Sequence, residues 1–163
     1  MLKYLWETNK ELINKLQRES KSFHSHIHGF KHWRTVENNG LYLAQFNDGD
    51  PAVISHFAYF HDCMRVNDQR DDGHGTRGAQ YALENRQSIE LDDYQINILY
   101  EACAGHTGGS NPLNNTIACC WEADRLDLRR VGIKPDQKWL YSKAAIDMVT
   151  NDDYYVMDNY ILK

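Results

Sequence analysis

Residues 59–65, "YFHDCMR", break the pattern of the segment that leads into them. That segment, "AVISHFAY" (52–59), sets Val53, Ile54, Phe57 and Ala58 on one side of a helical repeat, as a helix burying an apolar face does. His61 lies four residues after Phe57 and therefore on the same face. Asp62 is turned by about 100° from it on an α-helix, yet both can reach one point close to the helix. Burying an imidazole beside a carboxylate is costly unless a partner or a metal ion holds them. What holds His61 and Asp62 is the question the rest of the sequence has to answer.

Helical spacing runs through nearly the whole chain. Leu2, Leu5, Leu12, Ile13 and Leu16 mark a first helix, and His32, Val36 and Leu43 a second that ends in "NDGDP" (47–51). Asp50 is placed to cap a third, with Pro51 at its first position. Beyond the polar loop "VNDQRDDGHG" (66–75), a fourth helix is expected over "TRGAQYALENR" (76–86) and a fifth from the Asp92 cap to about Cys103. "AGHTGGSNPLNN" (104–115) is a second loop. A sixth helix covers "TIACCWEADRLDLRR" (116–130), stopped by "VGIKP", and a seventh covers "DQKWLYSKAAIDMV" (136–149). No segment alternates with period two for long, and neither a repeat nor a low-complexity linker is present. The expectation is an all-α bundle of about six to eight helices, one domain over 1–163. The tail "TNDDYYVMDNYILK" (150–163) is expected to pack on the domain or against a second copy of the chain, as in a homodimer.

Composition sets the outer limits. A chain of 163 residues suits one domain with a full core, and 42% hydrophobic with 25% charged residues is ordinary for a globular protein. The net charge of −5 argues against a nucleic-acid partner or a basic membrane anchor. The amphipathic N-terminus has no apolar core of a signal peptide, and no run approaches the roughly 18 apolar residues of a membrane span. Cys63, Cys103, Cys119 and Cys120 form no Cys-x-x-Cys pair, which predicts free buried thiols and a cytoplasmic setting.

Within this frame the acids and histidines fall into a pattern. His32 opens the second helix in "HGFKHWRTV", and Asp124 lies three residues after Trp121 in "WEADRLDL", again on an inward side. Taken singly, each is as well explained as a satisfied core or capping residue. Together, two imidazoles and two carboxylates from separate helices can make a metal site inside a bundle. Nitrogen and oxygen donors without thiolate point to Mn, Fe, Co, Ni, Mg or Zn.

His32, then His61-Asp62, then Asp124 resembles the H…HD…D signature of the HD-domain superfamily of metal-dependent phosphohydrolases, and "FHDCMR" and "EADRLDLRRVG" look like segments of it. The resemblance runs from about Ser22 to Asp136. It implies a bound divalent ion on His32, His61, Asp62 and Asp124. Dinuclear members carry two further histidines between the HD pair and the last aspartate. By that resemblance His74 and His106 would hold a second ion, with Asp62 bridging; as plain sequence both are histidines beside glycines in loops.

The resemblance also implies a chemistry. A divalent ion acidifies a water molecule and neutralises phosphoryl oxygens, and arginines then hold the phosphate. Arg65, three residues after Asp62, and Arg77, three after His74, are the candidates; a salt bridge to Asp68, Asp71 or Asp72 is the competing use of Arg65. HD nucleoside monophosphatases typically carry an acid where this chain has Arg65, and the GYP signature of cyclic-di-GMP hydrolases is not present. The expected substrate is therefore a phosphate ester of a nucleotide or small metabolite. One alternative shares the ligand set, a mixed-valent di-iron oxygenase of the same fold; the other, a non-catalytic metal- or nucleotide-binding module, would require a filled or degenerate site, and the intact ligand set argues against it. His28 is a candidate for orienting a ligand or meeting substrate, His56 for nothing catalytic. Asp127 is expected to cap or pair with Arg130, and Trp33, Trp121 and Trp139 to line core or pocket.

Overall fold

The computed structural model describes residues 1–162 and is helical throughout. Among the described residues there are nine α-helices: α1 (Leu5–Thr8), α2 (Lys10–Glu19), α3 (Phe30–Ala44), α4 (Pro51–Phe60), α5 (His74–Glu84), α6 (Asp93–Gly105), α7 (Asn115–Leu126), α8 (Lys143–Asn151) and α9 (Tyr155–Asp158). Two of these, α1 and α9, are only four residues long. No helix among the described residues is long and apolar enough to cross a membrane.

The caps do what the sequence asks of them. Asp50 accepts from the N–H groups of Ala52 and Val53 with Pro51 in the first turn, and Asp92 and Gln95 close a reciprocal capping box on α6. Helices α3, α4, α6 and α7 enclose the core, with α5 laid across α4 and α6. Trp33, Val36 and Leu43 meet Val53, Ile54 and Phe57 there, together with Leu99, Ile117 and Leu126, all essentially without exposure. The four thiols are buried and unpaired, and burial pushes each of them up in pKa. They pack as small hydrophobes.

Three boundaries differ from expectation. The first helix is two, because Asn9 leaves the helical region (φ −121°, ψ 70°) and turns its side chain onto the N–H of Leu12 as a new cap. The sixth ends at Leu126, and Asp127–Val131 tightens into a 3₁₀ turn closed by Gly132 at φ 76°. The seventh begins only at Lys143, where Ser142 caps it, so the stretch before it holds just the 3₁₀ turn Gln137–Trp139.

The tail folds back on the chain. Met157 is buried, its carbonyl accepts from Asn38 of α3, and Asp158 pairs with Arg129 at 2.9 Å. Lys163, the tail's last residue, lies outside the described residues.

Candidate metal centre

The helices deliver their polar side chains mainly from their ends. His32 is in the first turn of α3, His61 is the residue that closes α4, and Asp62 follows it as the chain leaves the helix. His74 is the first residue of α5, His106 closes α6, and Asp124 lies in the last turn of α7. Past α4 the backbone is pinned by Ser22, whose hydroxyl donates to the carbonyl of Asp62 at 2.9 Å, and by Ser20, which donates to that of Cys63.

All six side chains meet. His32 Nε2 stands 3.2 Å from His61 Nε2, and His74 Nε2 stands 3.0 Å from His106 Nε2. Asp62 lies between the two pairs. Its Oδ2 is 3.6 Å and 3.5 Å from His32 and His61, and its Oδ1 is 3.2 Å and 3.6 Å from His74 and His106. Asp124 Oδ1 closes the first group, at 3.1 Å from His32 and 3.6 Å from His61. The cluster is buried except for Asp124, whose side chain is 20% exposed.

The outer nitrogens fix what the inner ones present. His32 Nδ1–H donates to Asp127 Oδ2 at 2.6 Å, His61 Nδ1–H to the carbonyl of Ala58 at 3.0 Å, His74 Nδ1–H to that of Asp71 at 2.5 Å and His106 Nδ1–H to that of Cys103 at 2.7 Å. Each acceptor demands the proton on Nδ1, so a neutral ring turns the lone pair of Nε2 inward. Two lone pairs facing each other at 3.0 or 3.2 Å repel unless a cation stands with them, either a proton or a metal ion. Donor separations of 3.0–3.6 Å are also those expected around an ion with bonds of about 2.1 Å. The residues present therefore fit a divalent ion, and the buried His/Asp groups together with the fold suggest such a site.

The electrostatics agree. Burial would raise the Asp62 carboxyl, but His61, His106 and His74 hold it well below the usual carboxylate range. Burial likewise works against ionised Asp124, and His32 and His61 outweigh it. Burial depresses His32, yet Asp124 and Asp127 lift it to about 9.

Arg65 and Arg77 part company. Arg65 Nε donates to Asp62 Oδ1 at 3.0 Å and its side chain lines a cavity of about 200 Å³ that opens onto Asp62, His106 and Asp124. Arg77 turns away: its guanidinium clasps Asp71 at 2.6 Å and the carbonyl of Met64. Asp71 stands in the loop just before α5, six residues ahead of Arg77.

The sequence reading missed two further arginines in that cavity wall, Arg125 and Arg130, and the role of Asp127 as the acceptor that orients His32. Asp127 does pair with Arg130, at 3.8 Å, but its shorter bond is to His32. The available signal for Arg125 was an arginine inside the otherwise buried run "WEADRL". His28 does not share a helix face with His32, because α3 begins at Phe30; its Nδ1–H donates to Asp68 at 2.9 Å on the cavity rim. His56 is buried on the far side of α4, bonded to the carbonyl of Ala52.

No protein-family model matches the sequence, and no curated protein does either. The fold does have a counterpart. A crystal structure of a predicted HD superfamily hydrolase from an uncultured Thermotogales bacterium superposes with a TM-score of 0.69, covering 91% of this chain and 87% of that one. The chain has the HD-domain fold. At 22% identity the likeness is one of architecture, and it places the convergent histidines and aspartates of this chain inside an HD-type bundle.

Proposed function

We propose that the protein is a metal-dependent phosphohydrolase that cleaves a phosphate ester of a small molecule. The observation that carries the reading is the pair of inward-facing imidazole pairs bridged by Asp62, opening onto a cavity lined by arginine. His32, His61, Asp62 and Asp124 would hold one ion, and His74, His106 and the second oxygen of Asp62 would hold another. A bound divalent ion supplies an acidified water and positive charge for the phosphoryl oxygens. In the net reaction water adds to phosphorus, the ester P–O bond breaks and the departing oxygen takes a proton.

The chain's own residues set this up. Asp62 and Asp124 are kept ionised by their histidine neighbours, and Asp127 and the three backbone carbonyls keep each imidazole in the tautomer that presents Nε2. Arg65 is anchored by Asp62 and the carbonyl of Gln69, which leaves guanidinium protons for an ester oxygen. The absence of an acid at that position separates this site from the HD nucleotidase pattern.

The test is release of inorganic phosphate from a panel of phosphate esters, with chelator-treated protein reloaded with Mn²⁺ or Co²⁺. Metal-dependent release that disappears in Asp62→Asn is the expected result. Two tightly held irons with an oxygen-sensitive EPR signal and no phosphate release would put the di-iron oxygenase in its place.

A further inference from the structure

The cavity beside the cluster has a neighbour. A second cavity, also about 200 Å³, is lined by Lys21, Ser25, Asn67 and Asp68, and Arg65 belongs to the walls of both. Beside Arg65 a hydrogen-bonded chain joins the two linings: Ser25 Oγ donates to Asp68 Oδ1 at 2.6 Å, and the same oxygen accepts from His28 Nδ1–H at 2.9 Å. The two spaces are therefore neighbours across Arg65.

The two spaces differ in what they offer. Around the first stand Arg65, Arg125 and Arg130. Arg125 is buried, and its partners are neutral: the carbonyls of Gly109, Trp139 and His106 and the hydroxyl of Tyr141. Among the described residues no carboxylate forms a salt bridge with it; its Nη groups are taken by these neutral partners, so what it offers an anion in the cavity is its positive charge. Arg65 and Arg130 each have an Nη2 group with no hydrogen-bond partner among the described residues. Around the second space the uncommitted groups are Lys21 Nζ, Asn67 Nδ2 and Asp68 Oδ2, a mixture of donors and acceptors suited to hydroxyl groups.

The imidazoles of His28 and His106 in the first wall are held by Asp68 and by the cluster, and among the described residues neither cavity is walled by a phenyl, phenol or indole ring. Proteins that hold a base without reading its sequence stack it on such rings, at about 1–3 kcal/mol per base.

Resting on the phosphohydrolase reading, we infer that the substrate is a small hydroxylated phosphate monoester, a sugar or polyol phosphate without a nucleobase. Its phosphate lies among Arg65, Arg125 and Arg130, and its hydroxyl groups lie against Asn67 and Asp68.

Ribose 5-phosphate and adenosine 5′-monophosphate make the matched pair, since both present a ribose 5-phosphate and the nucleotide adds the base. Binding is read by calorimetry on the metal-depleted full chain, and turnover by phosphate release from the Mn²⁺-loaded protein. The sugar phosphate should bind at least about tenfold more tightly and show at least about tenfold higher kcat/KM. Asn67→Leu should raise KM for the sugar phosphate at least about tenfold, with kcat little changed. Equal or better binding and turnover of the nucleotide overturns the inference while leaving the hydrolase reading intact. Selective binding of the sugar phosphate with no phosphate released from any ester supports the pocket assignment and removes the hydrolase reading. Binding of neither compound overturns the inference.

Discussion

Asp62 is the residue on which the centre depends, because its two oxygens serve different imidazole pairs. Asp62→Asn leaves the side chain's volume intact but removes the charge that balances the cluster. Metal content after dialysis should fall to background while the helical circular dichroism is retained; full metal occupancy in the variant would show that the carboxylate is not a ligand. Asp127 acts one bond further out. Asp127→Ala frees the Nδ1–H of His32 and should weaken metal affinity by about 10–100-fold without abolishing binding, as measured by competition with a chelating dye. An unchanged affinity would reduce Asp127 to a partner of Arg130. At this scale much was legible. His61 and Asp124 could be picked out because helical spacing turned them inward, and the H…HD…D resemblance joined His32 and Asp62 to them. Arg125 and Arg77 could not be sorted, because what engages each guanidinium, Gly109 and Trp139 for one and Asp71 for the other, is a product of loop folding.

Between elements, the packing of α5 on α6 brings His74 to His106. Gly75 makes that approach possible: a Cβ there would lie 2.5 Å from the carbonyl of Cys103 and 3.1 Å from His106 Nδ1. Gly75→Ala should cost about 1–3 kcal/mol in denaturant unfolding and lower the bound metal, whereas Gly108→Ala, with nothing within 4 Å of its Cβ, should do neither. A second inter-element contact titrates. Glu37 of α3 is buried, accepts from the N–H of Leu5 at 2.5 Å and from the Tyr59 hydroxyl of α4 at 2.5 Å, and burial lifts it from 4.5 to about 7. The folded chain therefore holds this proton more tightly than the unfolded one. Its contribution to stability is complete below pH 4.5 and is lost as pH rises through about 7, by at most about 3 kcal/mol. Thermal melts from about pH 5 to about pH 8 should show that decline in the native protein and a flatter profile in Glu37→Gln; parallel profiles would contradict it. The sequence foretold the long helices and their caps, but not the break at Asn9 or the late start of α8. In both places one side chain, Asn9 or Ser142, takes over the N–H groups of a new helix.

For the molecule as a whole, a bound ion would help to hold the bundle together. The candidate donors come from α3, α5 and α7 and from the residues just past the ends of α4 and α6, so an ion bound only by the folded state would tie all of these elements together. Mn²⁺ at about 100 times its dissociation constant should add about 2.7 kcal/mol, a rise in melting temperature of about 5–10 °C. The same addition to Asp62→Asn should leave the melting temperature where it was. The HD fold could be read from the order of four residues along the chain, whereas the shape of the cavities beside the cluster could not. Those cavities are built by Ser25, Arg65, Asp68 and Arg130, which only the folded chain brings together. The most direct measurement is anomalous diffraction from crystals grown with Mn²⁺. Manganese density within bonding distance of His32, His61, Asp62 and Asp124 is the predicted result; an ordered structure with manganese elsewhere and His32 Nε2 still 3.2 Å from His61 Nε2 would contradict the account.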